Sequence, residues 1–360
     1  MNTRLSRPPK RIVLILPCCI GDVVMGTATL SALRSGFPDA SITWAVGAWS
    51  RPAIEHHPHL DGIIEIPADV SFGGLRILAP PRLASDLRAG NFDLAVSLER
   101  SPLMSVSLLL SGIPERAGLD SGRRGFGYTI RVQLNPDERR HEAEIYLSVA
   151  AALGIPTAGF RANIPIRDAD RAAVAQMLGE QAIEPPYIVV HPGGGSNPGM
   201  TMTSKRYPPA QMAALAERTA ETLGARIILI GAKRDTEVLE ATQRACTSAP
   251  ITLAGRLTFG EIGALAAGAA LYLGNDTGLT HLAAAAGAPT AMIFGPSDPV
   301  RYAPYTDNAI VLWKPVEVPT RGVSAGTPQD FDWERDGISV DEAAAQIRAF
   351  LRGGVDREYI

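Results

Sequence analysis

Three stretches of this chain hold side chains whose types and spacing suit a phosphorylated ligand. The first is Leu271-Tyr272-Leu273-Gly274-Asn275-Asp276-Thr277-Gly278-Leu279-Thr280-His281, an apolar run ending in a polar turn, followed by Leu282-Ala283-Ala284-Ala285-Ala286-Gly287. The pattern predicts a buried strand, a tight turn and an alanine-rich helix. The unpaired N–H groups and positive dipole end of such a helix suit a phosphate. Asp276 is placed to cap the helix, Gly278 lets a ligand approach the backbone, and His281 stands one turn further in. Taken alone, these residues are equally an N-cap, a packing glycine and a helix histidine with a local partner.

The second stretch is the loop Pro192-Gly193-Gly194-Gly195-Ser196-Asn197-Pro198-Gly199, which follows the apolar run Tyr187 to His191 and precedes Lys205-Arg206. Its backbone N–H groups could cradle a phosphate. It is not a G-x-x-x-x-G-K-[ST] loop, and no G-x-G-x-x-G follows the first strand, so P-loop and dinucleotide readings fail. Gly194, Gly195, Ser196, Lys205, Thr277, Gly278 and His281 all fall at C-terminal ends of predicted strands. Backbone donors, an ammonium and a helix dipole converging on one place are what a diphosphate requires. Asp235, just past the Ile227 to Gly231 run, is either an acceptor for ribose hydroxyls or a helix N-cap. The third stretch holds Asp22, in a nearly uncharged neighbourhood after the first apolar run. It is an N-cap, a general base acting on a hydroxyl, or both.

The elements that must position these groups alternate regularly. Residues 11–16 read as a strand covered on both faces, and Val24, Leu30 and Leu33 mark a helix over Val23 to Ser35, stopped by Gly36 and Pro38. Strands are predicted at Ser41 to Val46, Gly62 to Pro67 and Phe92 to Leu98, with a helix at Ala84 to Ala89 between the last two. A proline-containing stretch, Pro156 to Asp168, separates this half from a second. There a helix at Asp168 to Gln181 precedes the strand Tyr187 to His191. Further units follow at Ala210 to Leu223, Arg226 to Gly231, Thr236 to Cys246, Ile251 to Leu253, Phe259 to Ala267 and Pro289 to Gly295. Trp313 to Asp336 is irregular, and Ser339-Val340-Asp341-Glu342 is a capping box opening a last helix. Strands alternating with helices imply an α/β chain with parallel, doubly wound sheets, whose post-strand loops hold ligands. Asp22, Glu99, Arg100 and Ser101 then lie on the working edge of the first domain.

Composition excludes several classes. The chain has 360 residues, 46% hydrophobic and 20% charged, enough for about two folded domains. A net charge of -3 argues against a general nucleic-acid binder. Of its three cysteines Cys18 and Cys19 are adjacent, so neither a disulfide framework nor a C-x-x-C metal site is expected, which suits a reducing compartment. The basic Met1 to Arg11 stretch resembles the start of a signal peptide, but Pro17 and Asp22 interrupt the apolar run that follows, so a first buried strand is expected there. No run of 18 apolar residues is present.

Ile20-Gly21-Asp22-Val23-Val24, Lys205-Arg206-Tyr207-Pro208, Asn275 to Ala285 and Phe294-Gly295-Pro296-Ser297-Asp298-Pro299 together resemble glycosyltransferase family 9, the ADP-heptose:lipopolysaccharide heptosyltransferases and their relatives. The resemblance implies a GT-B architecture of two Rossmann-like doubly wound domains facing a cleft. Residues 1–166 would form the acceptor-side domain and 167–336 the nucleotide-sugar domain, with 337–360 returning to the first. It implies an inverting, metal-independent transfer without a cofactor, from a nucleotide-sugar donor such as ADP-heptose to an anionic or lipid-linked saccharide acceptor. Asp22 would be the base and Lys205 would offset charge on the departing diphosphate. Gly194, Gly195, Ser196, Asp276, Thr277, Gly278 and His281 would hold that diphosphate. Arg51, Arg100, Arg123 and Arg124 are candidates for an anionic acceptor, against the plainer reading of scattered surface arginines. A cytoplasmic monomer is expected, with peripheral contact at the inner face of the cytoplasmic membrane. A nucleotide-sugar epimerase of similar fold, or a non-catalytic nucleotide-sugar-binding protein, are the alternatives. Tyr207 stands where the family usually has tryptophan, and Lys233-Arg234-Asp235 where a ribose-binding glutamate is common.

Overall fold

The computed structural model describes residues 5–66, 79–135, 138–197, 200–318 and 331–353. Two compact units meet in sequence between Ala162 and Asn163, inside the predicted proline-containing stretch. The parts of the predicted segments falling on residues 1–4, 67, 198–199, 319–330 and 354–360 lie outside the described residues.

The first unit runs β1 (Arg11–Ile15), α1 (Ile20–Gly36), β2 (Ser41–Gly47), β3 (Gly62–Ile66), α2 (Ala79–Ala89), β4 (Leu94–Ser97), α3 (Pro102–Ser111), β5 (Glu115–Ser121), β6 (Ile130–Leu134) and α4 (Glu142–Ala152). Its six strands are ordered β3-β2-β1-β4-β5-β6 and pair in parallel throughout. β1 and β4 are apolar because helices cover both faces of the sheet. Val13, Ile15, Ala95, Leu83, Leu87, Met104 and Leu108 form a core on the face that α2 and α3 cover. Strand order reverses between β1 and β4, so the segments that follow them, carrying Asp22 in the first turn of α1 and Glu99-Arg100-Ser101, stand at the switch point where doubly wound sheets bind ligands. The stretch from α3 to α4 has no clear periodic signal. In β5 the buried Asp120 breaks the apolar pattern, its oxygens accepting from Gly125 N–H and Gln133 Nε2, each at 2.9 Å. Contrary to the expectation from adjacency, Cys18 and Cys19 are joined as a disulfide.

The second unit runs α5 (Asp168–Glu180), β7 (Tyr187–His191), β8 (Ser196–Asn197), β9 (Met200–Thr201), α6 (Pro209–Leu223), β10 (Arg226–Leu229), α7 (Thr236–Ala245), β11 (Ile251–Thr252), α8 (Phe259–Ala267), β12 (Leu271–Asn275), α9 (Gly278–Ala285), β13 (Thr290–Ile293), α10 (Pro299–Tyr302), β14 (Ala309–Leu312), α11 (Trp333–Asp336) and α12 (Val340–Leu351). Six parallel strands are ordered β11-β10-β7-β12-β13-β14, and β8-β9 is a small antiparallel pair. Tyr187 to His191 and Leu271 to Asn275 are wholly buried, as central strands must be. The Ser339/Glu342 capping box opens α12 as predicted. That helix buries Ala343, Ala344 and Ile347 with Met212 and Leu215 of α6. Among the described residues no helix is long and apolar enough to cross a membrane.

Candidate active site

In the second unit the switch point lies between β7 and β12, whose post-strand loops are the two candidate phosphate-binding stretches. Gly194 and Gly195 have φ of +97° and +69°, a region favouring glycine. A Cβ on Gly194 would stand 2.1 Å from Thr277 Cγ2, so the two loops touch there. Asn275, fully buried, ties them together. Its Nδ2 donates to the carbonyls of Pro192 at 2.9 Å and Gly193 at 3.1 Å, and its Oδ1 accepts from Tyr207 N–H at 3.0 Å.

Asp276 is buried beside two basic side chains. Lys205 Nζ donates to its Oδ2 at 2.5 Å, and His281 Nε2 lies 4.0 Å from Oδ1. Burial pushes this carboxyl up, but Lys205 and His281 outweigh it and hold the pKa below its ordinary value. The cap position of α9 belongs to Thr277, in extended backbone and with no side-chain cap bond, so Asp276 is not the cap the sequence suggested. Asp276 thus holds Lys205 and His281 together at the end of β12. Thr277 Oγ1 lies 3.4 Å from His191 Nδ1 and 3.3 Å from Thr280 Oγ1.

Asp235 is also redirected. It is 2% exposed, with Oδ1 accepting from Gly194 N–H at 3.3 Å and Oδ2 from Ala232 N–H at 3.0 Å. His191 Nε2 and Arg206 Nη2 each stand 3.8 Å from it. Burial opposes its charge, yet His191 and the two N–H donors bring its pKa down to about 2. The carboxylate bonds to the glycine loop and makes no side-chain cap to α7. Arg206 closes the loop from the other side: Nε donates to Gly194 O at 2.8 Å and Nη2 to Ser196 Oγ at 3.5 Å.

In the first unit Asp22 occupies the first turn of α1. Its Oδ2 accepts from Cys19 N–H at 3.2 Å and its Oδ1 from the Tyr146 hydroxyl at 2.8 Å. The carboxylate thus pins the helix start and still keeps lone pairs for an incoming proton. Burial, then the nearby Glu142, raise its pKa above the usual carboxylate range, against the pull of Tyr146, Cys19 N–H and Arg100. Glu99 is raised too, by burial and by Asp22.

Residues 81–325 match the sequence family described as Glycosyltransferase family 9 (heptosyltransferase). The chain belongs to glycosyltransferase family 9. It is 25% identical over 308 residues to lipopolysaccharide heptosyltransferase 3 of Escherichia coli, covering 84% of this chain and 88% of that one. Its fold is similar to that of a family 9 glycosyltransferase from Veillonella parvula, with a TM-score of 0.78 at 22% identity over 96% and 97% of the two chains. It is similar also to the ADP-heptose lipopolysaccharide heptosyltransferase II of E. coli, with a TM-score of 0.72 at 22% identity over 95% and 99%. Two doubly wound parallel units are the GT-B class of fold, and the chain is a glycosyltransferase of the heptosyltransferase type.

In this glycosyltransferase the four arginines are not scattered. Arg51, Arg100 and the Arg123-Arg124 pair follow β2, β4 and β5, which are parallel, so all stand on the edge that carries Asp22. Arg123 and Arg124 are exposed. Arg51 pairs with Glu55 at 3.1 Å and Glu65 at 3.3 Å, and Arg100 with the buried Glu142 at 2.5 Å, so both are engaged within the first unit. Tyr207 is wholly buried, its ring edge-on to Trp333 and its hydroxyl donating to Ile338 O at 2.9 Å, so it secures the approach to α12. The sequence offers no signal that Tyr146 partners Asp22. Tyr146 lies 124 positions from Asp22, beyond any local motif.

Proposed function

We propose that the enzyme transfers a sugar, heptose by its kinship, from a nucleoside diphosphate donor such as ADP-heptose to a hydroxyl of an anionic, lipid-linked saccharide such as lipopolysaccharide core. The observation that carries the reading is the gathering of Lys205 and His281 on one buried carboxylate beside the Gly194–Gly195 loop. Asp22 takes the proton from the acceptor hydroxyl as the oxygen attacks the anomeric carbon. The bond from that carbon to the diphosphate oxygen breaks, and its electron pair leaves with the nucleoside diphosphate. A single displacement inverts the anomeric centre. Lys205, His281 and the N–H groups of the two loops meet the charge that develops on the leaving group, so the step needs no metal ion or cofactor. The raised pKa of Asp22 makes it a stronger base than an exposed carboxylate. Arg123 and Arg124 would contribute to an anionic acceptor's binding, with Arg51 and Arg100 shaping the same edge. The protein acts as a monomer at the inner face of the cytoplasmic membrane.

The test is release of nucleoside diphosphate from a panel of nucleotide sugars, with and without acceptor and chelator. Acceptor-dependent turnover that persists in chelator and is lost in Asp22→Asn, with donor binding retained, is expected. Abolition by chelator would overturn the metal-free step, and full-rate turnover by Asp22→Asn would remove the base.

A further inference from the structure

We propose that the outer face of α3, with the β5–β6 loop beside it, docks on an anionic lipid surface. From Ser101 to Pro114 the chain has no charged residue. Within α3, Met104, Ser105, Leu108 and Ser111 turn to the core, whereas Leu103, Leu109 and Leu110 are 41, 47 and 44% exposed. Val106, half-buried, continues that stripe at helical spacing. Phe126 is 48% exposed, and among the described residues these three leucines and Phe126 are the large apolar side chains left in solvent. The loop that carries Phe126 touches the helix that carries the leucines. Gly127 N–H donates to Ser105 Oγ at 2.8 Å, and a Cβ on Gly127 would meet Ser105 O at 2.1 Å, so the loop lies directly on the first half of α3.

Positive charge frames the stripe. Residues 121–134 contain Arg123, Arg124 and Arg131 and no acid. Arg131 Nη2 donates to Phe126 O at 2.9 Å, which fixes a guanidinium at one end. At the other end Arg88 of α2 donates to Leu110 O and, at 3.2 Å, to Ser111 O. Of the acids on adjoining elements, Asp120 is buried and Glu115 is engaged by Ser6 and Thr129, leaving Asp86 of α2 exposed. An exposed apolar helix face bordered by arginines fits a bilayer interface, where leucines enter the acyl boundary and guanidinium groups reach phosphates. Because α3 starts directly after Arg100-Ser101, a membrane lying on it would run up to the edge that carries Asp22. This surface stands independently of the proposed reaction.

Sedimentation of the full chain with vesicles, without substrates, tests it. Binding to phosphatidylcholine mixed with phosphatidylglycerol is expected, with little to phosphatidylcholine alone, and with weakening as salt is added. The triple variant Leu103→Gln, Leu109→Gln, Leu110→Gln, altering only exposed positions, should lose about tenfold or more in vesicle affinity. Its melting temperature and its turnover of a water-soluble acceptor should be unchanged. Undiminished binding by the variant, or equal binding of the wild-type chain to both lipids, would overturn the proposal. So would a wild-type chain that ignores vesicles but self-associates in light scattering and is made monomeric by the triple variant, which would assign the face to a second copy.

Discussion

Changing Tyr146→Phe isolates how the protein tunes Asp22. Tyr146 is 3% exposed on α4, which packs against α1, and its hydroxyl donates to Asp22 Oδ1 at 2.8 Å. Phenylalanine keeps the ring and its packing and removes only that donor. A hydrogen bond to a charged acceptor contributes about 1.5–3 kcal/mol, and one pKa unit corresponds to about 1.4 kcal/mol. The bond favours only the ionised carboxylate, so its loss should raise the Asp22 pKa further, by about 1–2 units. A base is inactive when protonated. The acid limb of kcat/KM should therefore move to higher pH by that amount, with the plateau above it much less affected. Nucleoside diphosphate release, followed across pH for both proteins, measures the shift. A profile superimposable on that of the unaltered enzyme would refute the positioning role. A uniform fall at every pH would refute it too, since disturbed packing would give that result.

Three further outcomes follow from the same geometry. Because Asp22 has a folded-state pKa above its unfolded value, its stabilising contribution is complete below the unfolded pKa and is lost as pH rises through the folded one. Asp22→Asn should accordingly melt about 2–4 °C higher at neutral pH, with the gain vanishing in acid; a lower melting temperature at neutral pH would count against it. Asp276→Asn leaves the Lys205 ammonium without its buried partner and should destabilise by about 3 kcal/mol in urea unfolding, whereas adding Lys205→Met should recover most of that. Equal stability of the single and double variants would show that the pair is not the cause. Gly194→Ala combines a φ of +97° with a Cβ 2.1 Å from Thr277 Cγ2 and should weaken nucleoside diphosphate binding by about tenfold or more in calorimetry. Unchanged affinity would mean that the loop's close approach to Thr277 does not shape the site.

Much of the architecture is legible locally. Buried parallel strands are continuous apolar runs, so β1, β7, β10, β12 and β13 stand out, and the Ser339/Glu342 box announces α12. β5 and β6 do not, because β5 buries an aspartate that only later residues can satisfy. The candidate site divides the same way. Glycines at Gly194 and Gly195, and the Asn275 to His281 turn, are visible because backbone conformation and loop composition are local properties. The direction in which a carboxylate points is not.

By itself the sequence determined the two doubly wound halves, the loops that end their central strands, and the residue types offered there, since periodicity and turn chemistry act over a few residues. Only the tertiary structure decided that Asp235 supports the glycine loop, that Asp276 holds Lys205 and His281, and that Tyr146 holds Asp22. Each of those pairings joins residues 41 or more positions apart, apart from the nearby His281, and depends on which strands lie side by side. Parallel strand order is set by how whole helices and strands pack. No local stretch of the chain records it.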